Sequence, residues 1–255
     1  MKLPNNTFLE ALRAKKKPLI GCWLGLPDPN AAEIAAAAGF DWLAIDQEHA
    51  PFELSDVASH LRAIAPYPPA AIVRAASDDP TLIKKLLDLG AQSLLIPMIE
   101  TGEQARACVN AVYYPPQGQR GVGTSLARAA RWNGISDYVH SANEQIGLFV
   151  QVESQAAIDN LDDILAIESI DGVFIGPSDL AASMGKLGAA DDEKVQQAIS
   201  LAISKAQSAG KFAGILALSE GLQSQCKASG IDFIGVGVDT LLLRNGLINC
   251  RRQHD

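Results

Sequence analysis

Long apolar runs are missing from this chain. None reaches the roughly 20 residues that a helix needs to cross a bilayer, and the opening MKLPNNTFLEALRAKKKP has no apolar core of the kind that marks a secretory signal. Basic clusters are nearly as scarce. Beyond RAKKK near the start and RR near the end, 21 Lys and Arg are dispersed among 29 Asp and Glu, for a formal net charge of −8. That balance argues against nucleic acid or an anionic membrane as partner, and leaves small molecules, including anionic ones held by one local Arg or a metal. The four cysteines, Cys22, Cys108, Cys226 and Cys250, show no C-x-x-C spacing. Neither a zinc site nor a redox motif is predicted; they read as buried thiols in a reducing compartment, and the protein is expected to be cytoplasmic.

What the chain does have is apolar content, 48% of 255 residues, in a repeating arrangement. Short β-branched or apolar runs alternate with longer, Ala-rich amphipathic segments, the pattern of βα units around a parallel sheet. Eight runs qualify: PLIGCWL, WLAID, AAIVRA, SLLIPM, GLFVQVE, GVFIGP, KFAGIL and FIGVGV, beginning at residues 18, 42, 70, 93, 147, 172, 211 and 233. Between them lie predicted helices such as DPTLIKKLLDLG, with Asp79 as cap, Pro80 at the first helical position and Gly90 after the last turn. A last helix is expected near residues 240–252, with a role in oligomer packing. Eight units in this length predict one (β/α)₈ barrel domain over residues 1–255.

One connection, YYPPQGQRGVGTSLARAARWNG, is too long for an ordinary turn, and such loops are usually functional or oligomer contacts. Its GVGTSLA imitates a dinucleotide-binding fingerprint but follows a helix and a Pro-Pro turn instead of a strand, so no dinucleotide is predicted.

In a barrel of this kind, chemistry sits at the carboxyl ends of the strands. Those ends supply Trp23; Asp46, Glu48 and His49; Arg74; Gln151 and Glu153; Ser178 and Asp179; and Asp239, whereas the opposite ends supply little that ionises beyond Lys211. Glu153 and Asp179 leave neighbouring strands, and two carboxylates without a His or Cys pair suit a hard or borderline divalent ion, Mg²⁺, Mn²⁺ or Co²⁺; the competing reading is a pair of loop and helix caps. Arg74 ends its strand either to meet an anion or simply to pair with Asp46. His49 is a solvated loop residue or a proton carrier. In GPSD, Gly176, Pro177 and Ser178 turn out of a strand into a helix start whose free N–H groups can receive a carboxylate. No predicted strand ends in lysine, so carbon–carbon bond cleavage here would not proceed through a Schiff base.

The segments GFDWLAIDQEHAP, KKLLDLGAQSLLIPM, YPPQGQRGVG, LFVQVES, DGVFIGPSDLAASMG and FIGVGVD occur in an order and spacing that resemble the metal-dependent class II pyruvate aldolases of the HpcH/HpaI aldolase/citrate lyase family over nearly the whole chain. The likeness is strongest to the 4-hydroxy-2-oxoheptanedioate aldolases, then to the 2-keto-3-deoxy sugar acid aldolases; malyl- or citryl-CoA lyases are more distant, and this short, acidic chain offers few basic residues for CoA phosphates. The resemblance implies reversible aldol cleavage of 4-hydroxy-2-oxo acids to pyruvate and an aldehyde, through an enolate on a divalent ion held by Glu153 and Asp179. It further implies that Gln151, Gly176, Ser178, Asp179 and Trp23 contact pyruvate, that Arg74 stabilises the oxyanion and that His49 is the base. Asp46 would orient Arg74 or His49, and Asp88 would raise the basicity of His49. Asp88 falls in the last turn of its predicted helix, away from its own mouth, so either a neighbouring subunit supplies it or the helix ends earlier than predicted. A homo-oligomer, a hexamer in the family, is implied. Gln47 departs from the glycine usual in the family.

Overall fold

Eight parallel strands close on themselves in chain order, with β1 (Leu19–Leu24) bonded to both β2 (Trp42–Asp46) and β8 (Phe233–Val238). Between them run β3 (Ala70–Arg74), β4 (Ser93–Ile96), β5 (Gly147–Val152), β6 (Gly172–Ile175) and β7 (Phe212–Leu216). This is the predicted barrel, and every expected strand is present. The structure is a computed structural model and describes residues 1–14 and 17–254.

The strands read as unbroken apolar runs because both of their faces are covered. Outward side chains such as Leu43, Val73 and Val173 pack under the helical ring, while inward ones build a second, aromatic core of Trp23, Trp42, Phe149, Phe174 and Phe233. The ring consists of α2 (Pro29–Ala37), α3 (Leu54–Ile64), α4 (Pro80–Leu89), α5 (Gly102–Val112), α6 (Tyr138–Ser141), α7 (Gln155–Asp159), α8 (Leu161–Leu165), α9 (Pro177–Ser183), α10 (Glu193–Ser208), α11 (Glu220–Ala228) and α12 (Asp239–Arg252). Helix α4 follows the sequence signals closely: Asp79 accepts from the Leu82 N–H at 2.8 Å, and Gly90 takes the left-handed cap at φ 105°.

An additional helix, α1 (Thr7–Ala14), precedes the barrel and was not expected from the sequence. Its Phe8, Leu9 and Leu12 are buried, and the Phe8 ring meets Phe233 at 5.2 Å and Phe149 at 5.5 Å edge-on, joining the interior aromatic core. Burying each such side chain stabilises the fold by about 2 kcal/mol, which explains how an eight-residue helix too short to form alone is held.

The cysteine expectation needs one correction. Cys22, Cys108 and Cys226 are buried and burial pushes the thiols up, to about 12, 12 and 11, but Cys250 is exposed. It lies on α12, which buries none of its residues and presents Leu241, Leu242, Leu243 and Leu247 to solvent. Among the described residues no helix is long and apolar enough to cross a membrane.

Candidate active site

Register builds one half of the mouth. Pairing of β2 with β3 sets Asp46 directly opposite Arg74, the last residues of their strands. The two meet through a fork: Arg74 Nε donates to Asp46 Oδ1 at 2.8 Å and Nη2 to Oδ2 at 2.5 Å, with both side chains under 10% exposed. Asp46 Oδ1 also accepts the backbone N–H groups of Glu48 (3.0 Å) and His49 (3.4 Å), so it shapes the turn that carries them. Thus Asp46 orients Arg74 and touches only the backbone of His49. Glu48 Oε2 lies 2.8 Å from Arg74 Nη1 without hydrogen-bond alignment. Of the five guanidinium N–H groups, the two spent on Asp46 leave three, two of them on Nη1 beside Glu48. The guanidinium also rests over the Trp23 indole at 5.2 Å, a contact that favours the cation.

The other half comes from β5 and β6. Val152 pairs with Ile175, so the next residues, Glu153 and Gly176, are neighbours. Glu153 is buried; its Oε1 accepts the Met98 N–H at 2.9 Å and its Oε2 accepts from the Gln151 side-chain amide. A Cβ on Gly176 would collide with Glu153 Oε2 and come within 3.3 Å of Gln151 Nε2, which is why glycine stands there. Met98 reaches Glu153 from a left-handed backbone, φ 56°, unusual for a residue with a side chain. Asp179 and Ser178 are exposed in the first turn of α9, where N–H groups have no intrahelical acceptor.

Charge at this mouth is unbalanced. Burial pushes the Glu153 carboxyl up, its hydrogen bonds from Gln151 and Met98 pull it down, and repulsion from Glu48 and Asp179 raises it further. Glu48 is likewise raised, first by burial, against the pull of Arg74 and His49 and with Asp46 and Asp179 adding to the rise. Three buried polar atoms there have no hydrogen-bond partner among the described residues, Trp23 Nε1, Gln47 Oε1 and Gln151 Oε1, and Glu48 Oε2 has only its ion contacts with Arg74 and His49. Unpaired buried groups cost stability unless water or a ligand meets them.

Among the described residues no group of three or more His, Cys, Asp or Glu converges on a metal-sized point. Glu153 and Asp179, the pair expected from the sequence, repel each other near the partnerless side-chain amide oxygen of Gln151. Mutually repelling carboxylates with an unfilled amide oxygen fit a hard divalent ion whose other ligands are water and substrate.

The remaining expectations divide. His49 sits at the rim, its side chain 66% exposed and its Nε2 3.9 Å from Glu48 Oε2. Asp88 does not meet it within one chain: it lies in the last turn of α4, at the amino-end side of the barrel, paired with Arg120 Nη2 at 2.7 Å. Asp239 clamps the loop after β1 by accepting the N–H groups of Gly25 and Leu26, a structural task. Lys211 donates to the carbonyls of Ile167, Glu168 and Ile170 and has no part in the mouth. Sequence reasoning placed Glu48 at the mouth but gave it no task, although its position two residues after Asp46 signals the same turn. It missed Met98 altogether, because nothing in IPMIE announces a left-handed residue.

Comparison with known proteins agrees with this geometry. Residues 19–246 match the family model HpcH/HpaI aldolase/citrate lyase. A hydroxypyruvate/pyruvate aldolase of Deinococcus radiodurans is 54% identical over 94% of this chain and 86% of its own length. A 4-hydroxy-2-oxo-heptane-1,7-dioate aldolase of Klebsiella pneumoniae is 50% identical over 95% and 91%. The crystal structure of an HpcH/HpaI aldolase/citrate lyase family protein from Burkholderia cenocepacia superposes with a TM-score of 0.94 at 38% identity, covering 98% of this chain and 100% of that one. A mouth with one held guanidinium facing buried carboxylates thus sits on a chain that belongs to the HpcH/HpaI aldolase/citrate lyase family and is a carbon–carbon lyase.

Proposed function

We propose that this enzyme cleaves 4-hydroxy-2-oxo acids reversibly to pyruvate and an aldehyde, with a divalent ion held by Glu153 and Asp179. The observation that carries the reading is Arg74, locked by Asp46 with its Nη1 beside Glu48, across the mouth from a buried Glu153 that no cation among the described residues pairs. Both aldolase-named relatives include a 2-oxo acid in their names, which supports pyruvate as the shared half of the reaction.

The chain's own groups have distinct tasks in this scheme. Pyruvate's carboxylate is received by backbone N–H groups at Gly176, Ser178 and Asp179 at the start of α9, and Gln151 and Trp23 wall the site. A bound Mg²⁺, Mn²⁺ or Co²⁺ supplies Lewis-acid stabilisation of the oxyanion that forms as the bond breaks. His49 takes the proton of the C4 hydroxyl; the C3–C4 electron pair moves onto the 2-oxo group, the aldehyde leaves, and C3 is then protonated to give pyruvate. Arg74 stabilises the oxygen on which charge develops. In condensation His49 returns the proton to the aldehyde oxygen. Asp88 reaches His49 from a neighbouring copy, where its carboxylate holds the ring. Such an assembly, a homo-oligomer of hexamer type, gives a cover to the leucines that α12 exposes.

Exchange of the pyruvate methyl protons for deuterium tests the assignment apart from aldol turnover. Glu153→Ala and Asp179→Ala should each abolish exchange and cleavage together. Undiminished exchange in either variant makes that carboxylate a cap.

A further inference from the structure

We infer a second, anion-binding site at the opposite end of the barrel, built by Arg128 and Arg131 and suited to a small dianion. A groove of about 310 Å³ lies there between the start of α1, the end of α3, the amino ends of β3 and β4 and the connection before β5. Among the described residues no carboxylate lines it, although the chain as a whole carries a net charge of −8.

The guanidinium groups are placed but not neutralised. Arg128 Nη1 donates to the Leu89 carbonyl at the end of α4 (2.8 Å), and Arg131 Nη1 donates to the Arg128 carbonyl (2.9 Å). Each bond fixes one end of a fork and leaves its other N–H groups available. No carboxylate among the described residues forms an ion pair with Arg62, Arg128 or Arg131. Arg128 is half-buried, and its cation is disfavoured first by desolvation and then by repulsion from Arg131 and Arg62. Like charges held together without a counter-ion in a concave surface attract an anion.

The backbone supplies an independent observation. Arg131, Trp132 and Asn133 are consecutive left-handed residues at φ 50°, 51° and 64°. Such a run is strained for residues with side chains. Backbone bonds close the turn, from the Trp132 N–H to the Ala127 carbonyl and from the Ile135 N–H to the Ala130 carbonyl, with Ile135 buried beneath it and Trp132 60% exposed. The strained turn holds Arg131 on the groove, where a bound anion would stabilise it.

Guanidinium forks meet carboxylate and phosphate oxygens alike, so the ligand class is a small molecule with two anionic oxygens, from a phosphate ester or a dicarboxylate. The test uses the full, metal-free chain titrated with inorganic phosphate or with succinate, each against sodium chloride at equal ionic strength, and reads thermal unfolding and calorimetric heat. A saturable rise in unfolding temperature is expected with at least one of the two, and which one identifies the source. Arg131→Gln should weaken that binding at least tenfold while leaving aldol turnover unchanged; Arg131→Lys should retain part of it. Arg128 is avoided because it also caps α4. Equal effects of chloride, binding untouched by Arg131→Gln, or no binding because a second copy fills the groove would each overturn the inference.

Discussion

Arg74 and Asp46 face each other across the β2–β3 pairing and join through two parallel hydrogen bonds, Nε to Oδ1 and Nη2 to Oδ2. The sequence left open whether Arg74 serves the site or merely pairs with this aspartate. The geometry makes the pairing the means of service, because the fork fixes the guanidinium plane while leaving N–H groups for the substrate. Asp46→Ala should lower kcat/KM by about 10²-fold or more through lost orientation, and removing one partner of a buried pair should destabilise the protein by about 3–5 kcal/mol. Steady-state kinetics and urea unfolding of the variant check both; Arg74→Lys, which cannot form the fork, should lose activity with a smaller stability loss.

Gly176→Ala tests the packing of β6 on Glu153. Gly176 has φ −99°, a conformation open to alanine, so any effect comes from the collision with Glu153 Oε2 and not from backbone strain. The variant should fold, lose about 1–3 kcal/mol of stability to the overpacking, and bind a divalent ion at least tenfold more weakly by calorimetry. Unchanged metal affinity would separate Gly176 from the ion site.

Replacing His49 with Ala should cost about 10²- to 10⁴-fold in turnover, the usual range for a general base. Pyruvate affinity should barely change, since the scheme holds pyruvate elsewhere, and the variant should lose the limb of the kcat/KM pH profile that the base supplies. If pyruvate binding weakens and the profile persists, His49 positions substrate and another group is the base.

Burial of Glu153 and Glu48 predicts the pH dependence of the metal-free protein. Both carboxyls are raised in the folded state, first by desolvation. As pH rises above the ordinary glutamate value, the unfolded chain ionises while the native groups keep their protons. The native state then binds more protons, so stability falls with rising pH until the raised values are passed. Unfolding temperatures measured in chelator across this window should decline for wild type and decline less for Glu153→Gln. A saturating divalent ion should reverse the decline for wild type, not for the variant.

By itself the sequence determined the barrel. Strands buried on both faces must be continuous apolar runs, and caps such as Asp79 and Gly90 act within a few residues, so both are written locally. The chemical groups at the mouth were legible for the same reason: Asp46, Arg74 and Glu153 are polar residues at the ends of apolar runs. Tertiary structure alone decided how they are used. That Asp46 holds Arg74 and not the His49 ring, that Gly176 makes room for Glu153, and that a left-handed Met98 aims its N–H at that carboxylate depend on strand register and on neighbours over fifty residues away in one case and over twenty in the others. Helix α1 went unread although Phe8, Leu9 and Leu12 stand at helical spacing, because eight residues are too few to form a helix alone and only the open end of the aromatic core holds them. Local pattern records which surface a segment must bury; it carries no record of which distant atom waits on the other side.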